Sequence, residues 1–157
     1  ADAALNKTNF DICELLSRVL LHRTGDLEAK KMDVECDFAP EPCMVNADES
    51  RIEQVAVNLL DNAIEACDKL SEERRKICLE ARMRRGIFAL NISNPCSCLG
   101  VKKQEEFETT KKNKELHGFG LKSIQEVVRN NQGNMEISAK DGQFSLFLYL
   151  PLSKEQK

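Results

Sequence analysis

No stretch of this 157-residue chain holds the roughly 20 consecutive apolar residues that a membrane-spanning helix needs. The start carries neither the basic n-region nor the apolar h-region of a secretory signal, so an unexported, cytoplasmic chain is the expectation. A charge excess of one sign is missing too. Lys and Arg number 23 against 26 Asp and Glu, net −3, which gives no global case for a nucleic-acid partner or for membrane contact. Histidine is scarce at two residues, and repeats and low-complexity tracts are absent. Cysteine, by contrast, is plentiful at seven. That number is odd, and Cys13, Cys67 and Cys78 fall in apolar periodic segments, where a free thiol behaves as a small hydrophobe. Cys96 and Cys98 are the one close pair, and no second pair or histidine completes a zinc site around them. Reduced cysteines are expected. An apolar fraction of 41% at this length suits one domain with a single core.

Residues 1–9 read as a flexible end. From Phe10 to Lys31 the apolar residues Ile12, Leu15, Leu16, Val19, Leu20 and Leu27 follow a helical period, with Asp11 near its start. Met32, Val34, Cys36 and Phe38 alternate with charges as in a half-buried strand, and "PEPCMVNAD", 40–48, is a turn-rich connection. Asp48 is placed to cap a helix running to about Leu70, with a stripe of Ile52, Val55, Ala56, Leu59, Ala63, Ile64 and Cys67. Two strands follow around an Arg85-Gly86 turn, then a polar, Lys-rich loop over 95–116. A helix restarts after "HGFG" and stops at Gly133, and a hairpin about Asp141-Gly142 closes the domain near residue 152, leaving 153–157 as a tail. This order predicts an α/β fold, a two-layer sandwich of a mixed, mainly antiparallel sheet with helices on one face.

Three stretches carry chemistry. "NLLDNAIEAC" places Asn58 and Asn62 four apart on one helix face, although Asn lowers helix propensity. The pair is either a polar patch or a set of neutral oxygen donors of the kind Mg²⁺ accepts beside phosphates. "HGFGLKSI" opens a helix after Gly118 and Gly120, which is either a simple turn or a backbone cradle for an anion at a helix N-terminus. "NISNP" ends an apolar strand with Asn94, either a strand terminator before proline or an amide that reads an adenine edge.

Together, in this order and spacing from about Phe10 to Pro151, these stretches resemble the GHKL superfamily of ATP-binding domains. "NLLDNAIEA" looks like the N-box of its sensor histidine kinase branch and "HGFGLKSI" like its second glycine box. The usual Asp-x-Gly motif is replaced by "NISNPCSC". With "TTK" at Thr109 to Lys111, this makes the chain similar to peptide quorum-sensing kinases of the accessory-gene-regulator type. The resemblance implies a Mg²⁺- and ATP-binding catalytic domain over residues 10–152, with the Bergerat form of the sandwich. It implies Asn62 as the metal ligand, Asn58 beside it, and Asn94 in the place of the adenine-reading Asp. Gly118, Gly120 and Leu121 are implied as backbone phosphate donors, with His117 in the same box. Lys111 and Lys122 are candidate phosphate contacts.

Where hydrolytic members carry a water-activating Glu, this chain has Asn58, which cannot act as a base at neutral pH. Transfer to a histidine is therefore favoured over hydrolysis. Neither His22 nor His117 suits the acceptor role, so the expected partner is a histidine-containing dimerisation domain of the same kinase, with a response regulator indirectly downstream. The rival readings are a GHKL serine kinase or hydrolase, and a non-enzymatic pseudokinase that only binds ATP.

Overall fold

The structure is a computed structural model that describes residues 6–96 and 120–154. Strand β1 (Lys7–Asp11) leads into helices α1 (Ile12–His22) and α2 (Thr24–Ala29), then strands β2 (Asp33–Phe38) and β3 (Met44–Asp48). Helix α3 (Glu49–Asp68) and a single 3-10 turn (Glu72–Arg74) precede the hairpin β4 (Lys76–Arg84) and β5 (Ile87–Pro95). Helix α4 (Leu121–Asn130) and the hairpin β6 (Asn134–Lys140) and β7 (Gln143–Pro151) complete the described elements.

Five strands pair in the order β2-β4-β5-β7-β6, and β1 pairs with β3 in a separate ribbon. Only β2 and β4 run parallel; the other neighbours in the larger sheet are antiparallel. The expected mixed, mainly antiparallel α/β sheet is therefore present. Alternation fixes which face it buries. Along β5, Phe88, Leu90, Ile92 and Asn94 are buried while the residues between them are partly exposed, and β7 does the same with Leu146, Leu148 and Leu150. Against that face pack Ile52, Val55, Leu59, Ala63 and Ile64 of α3 with Leu121, Ile124 and Val128 of α4, in one continuous core. Each fully buried Leu, Ile or Val contributes about 1.5–3 kcal/mol.

Turn chemistry explains both hairpins. Arg85 and Gly86 have φ of 51° and 81°, and Asp141 and Gly142 have 55° and 76°, the left-handed pair that a two-residue turn requires. Helix α3 starts where Asp48 accepts from the Arg51 N–H at 3.4 Å.

Three expectations need correction. The flexible end expected over residues 1–9 gives way from Lys7 onward to β1, paired Lys7 with Asp48 through Asp11 with Met44, and Phe10 is buried there. The turn-rich stretch contains β3 for the same reason: each five-residue strand is held by the other's ladder rather than by its own pattern. The single helix expected over 10–31 is two. Asp11 caps α1 through the Cys13 and Glu14 N–H groups, the Thr24 hydroxyl donates back to the Leu21 carbonyl at 2.9 Å, and Gly25 follows. The loop expected over 95–116 lies outside the described residues from position 97 onward. Among the described residues, no helix is long and apolar enough to cross a membrane.

Candidate functional site

An open cleft of about 500 Å³ lies between α3, the inner face of β5 and β7, and the start of α4. Its walls are apolar: Leu59, Ala63 and Ala66 on α3, Ile92 on β5, Leu121 on α4, and Phe144 and Leu146 on β7. Two amides, Asn62 and Asn94, break this surface. A concave apolar slot with a few convergent polar groups is the usual form of a small-molecule site.

Asn94 is 2% exposed, and its Nδ2 donates to the Pro95 carbonyl at 2.8 Å. With the nitrogen engaged, the side chain offers Oδ1 as an acceptor. Asn62 is half-buried, and its Nδ2 is buried without a hydrogen-bond partner among the described residues. An unpaired buried amide costs about 1–3 kcal/mol, so a polar partner entering the cleft at this group would be favoured. Asn58, one turn earlier, accepts from Gln54 Nε2 at 3.4 Å. It lines a smaller adjoining cavity with Arg51, Val55, Ser123, Ile124 and Val127, so the two amides of α3 face neighbouring spaces rather than one.

Gly120 stands at the N-cap of α4 with no side chain capping it. The first N–H groups of the helix and the positive end of its dipole therefore border the cleft beside Leu121. Lys122 is exposed and lines neither cavity. Lys111, His117 and Gly118 lie outside the described residues. Among the described residues no Asp or Glu lines either cavity, so none of them supplies a carboxylate base there. Asp61, beside Asn62 in sequence, pairs with Arg23 at 3.0 Å; burial pushes its pKa up, and that guanidinium opposes the rise.

Two residues that sequence reasoning did not assign to the site set its frame. Asn131 is fully buried; its Oδ1 accepts from the Asp48 N–H at 2.9 Å and its Nδ2 donates to the Val127 carbonyl at 2.9 Å. The end of α4 is thus bonded to the start of α3, the helix carrying Asn58 and Asn62. Burial raises the pKa of Asp48, but hydrogen bonds from the backbone N–H groups of Asn6 and Arg51 and from Ser50 hold it below the ordinary carboxylate value overall. The polar run "RNNQG" looked like a helix stop; a buried Asn within it has no distinct sequence signal.

The expectation of reduced cysteines is corrected at one position. Cys96, at the cleft, is disulfide-bonded, while Cys13, Cys36, Cys43, Cys67 and Cys78 carry free thiols. It is the described member of the close pair noted in the sequence.

For a divalent cation the donor set has a definite form. Among the described residues no group of three or more His, Cys, Asp or Glu side chains could hold a metal. Mg²⁺ takes one or two protein oxygens and fills its shell with water and phosphate, so a single well-placed amide fits it where an all-protein cage does not. The orphaned amide of Asn62 is such a group, since its oxygen and nitrogen exchange places by a half-turn of the side chain.

Comparison with known proteins adds a family. The family described as "GHKL domain" matches residues 49–151. The sensor histidine kinase ZraS of Klebsiella oxytoca is 25% identical over 162 residues, covering 99% of this chain and 34% of that protein. The adaptive-response sensory kinase SasA of Thermosynechococcus vestitus is 30% identical over 130 residues, covering 78% and 33%. The chain thus spans about a third of the length of these two curated relatives. Among solved structures, the catalytic domain of histidine kinase ThkA superposes with a TM-score of 0.79 at 21% identity, covering 98% of this chain and all of that one. ThkA in complex with response regulator protein TrrA matches at a TM-score of 0.74 and 21% identity, covering 96% of this chain and 43% of that one.

Proposed function

This chain belongs to the GHKL domain family, and from that premise we propose that it is the Mg²⁺-ATP-binding catalytic domain of a sensor histidine kinase. The observation that carries the reading is the apolar slot whose two amides, Asn62 and Asn94, sit beside the uncapped N-terminus of α4. The apolar walls suit the faces of a purine. Asn94 Oδ1 accepts from the exocyclic amino group of adenine; guanine presents a carbonyl oxygen at that place, which would meet an acceptor with an acceptor. Asn62 would hold the metal, which would supply positive charge to offset the charge developing on the phosphates during transfer. The N–H groups at Gly120 and Leu121 face the phosphates; Gly118, His117 and Lys111, outside the described residues, and Lys122, exposed beside that helix start, are the further candidates for phosphate contact that the motif offers.

Asn58 supports Asn62 from the adjoining cavity one turn away and cannot take a proton from water, and among the described residues no carboxylate lines either cavity. The nucleotide is thereby preserved for a nucleophile supplied from outside: a histidine on a dimerisation segment of the same kinase. A response regulator would receive the phosphoryl group afterwards, in keeping with the solved complex of ThkA with TrrA. The catalytic domain runs over about residues 10–152, works in the cytoplasm, and is of the peptide quorum-sensing type, as Asn94 at the Asp position and "TTK" at 109–111 suggest.

Radiolabelled ATP tests the assignment. The chain alone is expected to bind but not to label itself. Addition of a histidine-bearing dimerisation segment from the same kinase is expected to give an acid-labile label on that segment. Acid-stable label, or label on His22 of the isolated chain, would overturn it.

A further inference from the structure

Cys13 and Cys43 are thirty positions apart in sequence, yet their Sγ atoms stand 3.1 Å apart and buried, in direct contact without a bond. The backbone fixes this approach from both sides. The β1–β3 ladder pairs Asp11 with Met44, and the Ile12 N–H donates to the Cys43 carbonyl at 2.9 Å, one step beyond the ladder. A single carboxylate oxygen, Asp11 Oδ1, then accepts from the N–H groups of both Cys13 at 3.0 Å and Cys43 at 3.1 Å. A disulfide bond is about 2 Å long, so the sulfurs, 3.1 Å apart, need a shift of only about 1 Å to bond. Among the described residues, Cys36, Cys67 and Cys78 have no such sulfur contact: Cys67 directs its thiol to the Lys76 carbonyl and Cys78 to Glu35.

We propose that Cys13 and Cys43 form a dithiol–disulfide site that, when oxidised, ties the first turn of α1 to the start of β3. The co-reactant is a low-molecular-weight disulfide such as oxidised glutathione. One cysteine, as thiolate, attacks a glutathione sulfur and releases one glutathione thiolate. The second cysteine, as thiolate, then attacks the protein sulfur of the mixed disulfide and releases the other. Two cysteine thiols are oxidised, one disulfide is reduced to two thiols, and the two cysteine protons pass to the glutathiones. Burial pushes both thiols up in pKa, most strongly Cys13, and the Asp11 carboxylate adds to this. The exchange therefore runs while the β1–β3 ribbon is open or the chain is folding, and the closed ribbon shields the bond once made.

The 157-residue protein is equilibrated with oxidised glutathione through a cycle of mild urea and refolding, then alkylated with iodoacetamide, digested without reduction and mapped by mass. A parallel sample is kept in dithiothreitol. The expected result is a peptide pair joining Cys13 to Cys43, two hydrogens lighter than the reduced pair. Unfolding of the oxidised sample is expected at a higher urea concentration, and dithiothreitol is expected to reverse both effects. The Cys36→Ser/Cys78→Ser double variant is expected to give the same link. Alkylation of both Cys13 and Cys43 after refolding in oxidant, or a dominant link to another cysteine, would overturn the assignment. The map needs no nucleotide, so its outcome is independent of the proposed kinase function.

Discussion

Replacing Asn131 by alanine removes the link between the two helices that flank the cleft. Its Oδ1 is the acceptor for the Asp48 N–H at 2.9 Å, and that donor sits in the buried interior. The Val127 carbonyl loses the Nδ2 donor but keeps the Asn131 backbone N–H at 3.2 Å, so one group, not two, is orphaned. An orphaned buried amide costs about 1–3 kcal/mol. The space left by the missing carboxamide adds about 1 kcal/mol more, because packed interiors relax only in part. Asn131→Ala is therefore expected to lose about 2–4 kcal/mol, a large share of the stability of a single domain. In urea the midpoint should fall at unchanged slope, since the surface exposed on unfolding is the same. A loss below about 0.5 kcal/mol, the level of an ordinary surface substitution, would refute the link.

Gly133→Ala is expected to destabilise by about 2–3 kcal/mol in the same urea assay, because its Cβ would lie 2.3 Å from the Tyr149 carbonyl oxygen and 2.9 Å from Val128 Cγ1; near-neutral behaviour would show that β7 gives way there. Asp48 has a folded pKa below its unfolded one, so its contribution is present above the ordinary carboxylate pKa and is lost as pH falls through the folded value. Acid titration of stability below about pH 4 should be shallower in Asp48→Asn than in the wild type, and identical slopes would refute the hydrogen-bonded carboxylate. Asn94→Asp replaces the Nδ2 donor by an oxygen 2.8 Å from the Pro95 carbonyl, so the domain should lose about 1–3 kcal/mol at pH 7 and recover part of it at acid pH, where a protonated carboxyl donates again. Unchanged stability at both pH values would mean that the Nδ2 bond is absent.

The elements with strong local signals were legible in the sequence. Helix α3 was expected from Glu49 to about Leu70 and runs Glu49–Asp68, because a cap and a seven-residue apolar stripe agree. Both hairpins were marked by Arg-Gly and Asp-Gly turns. What escaped depends on partners distant in sequence. β1 and β3 are five residues each and exist through each other, and no periodicity announces so short a pair. Of the candidate site residues, Asn62, Asn94 and Leu121 meet in one cleft, whereas Asn58 faces the adjoining cavity, a separation one helical turn away that spacing alone does not reveal. Asn131 and the Cys13–Cys43 contact join residues 83 and 30 positions apart, which only the fold brings together.

Titration of ATP into the folded chain by calorimetry, with and without Mg²⁺, in wild type and Asn62→Ala, tests the central claim most directly. Alanine is the better helix former and removes the orphaned amide, so the variant is expected to remain folded with α3 at least as stable. Wild type is expected to show saturable binding that tightens with Mg²⁺, and to prefer ATP to GTP. Asn62→Ala is expected to lose the Mg²⁺-dependent increment, a fall of tenfold or more by the rule of about 1.4 kcal/mol per decade, while keeping its fold. A folded Asn62→Ala protein that binds Mg²⁺-ATP as tightly as wild type would contradict the account.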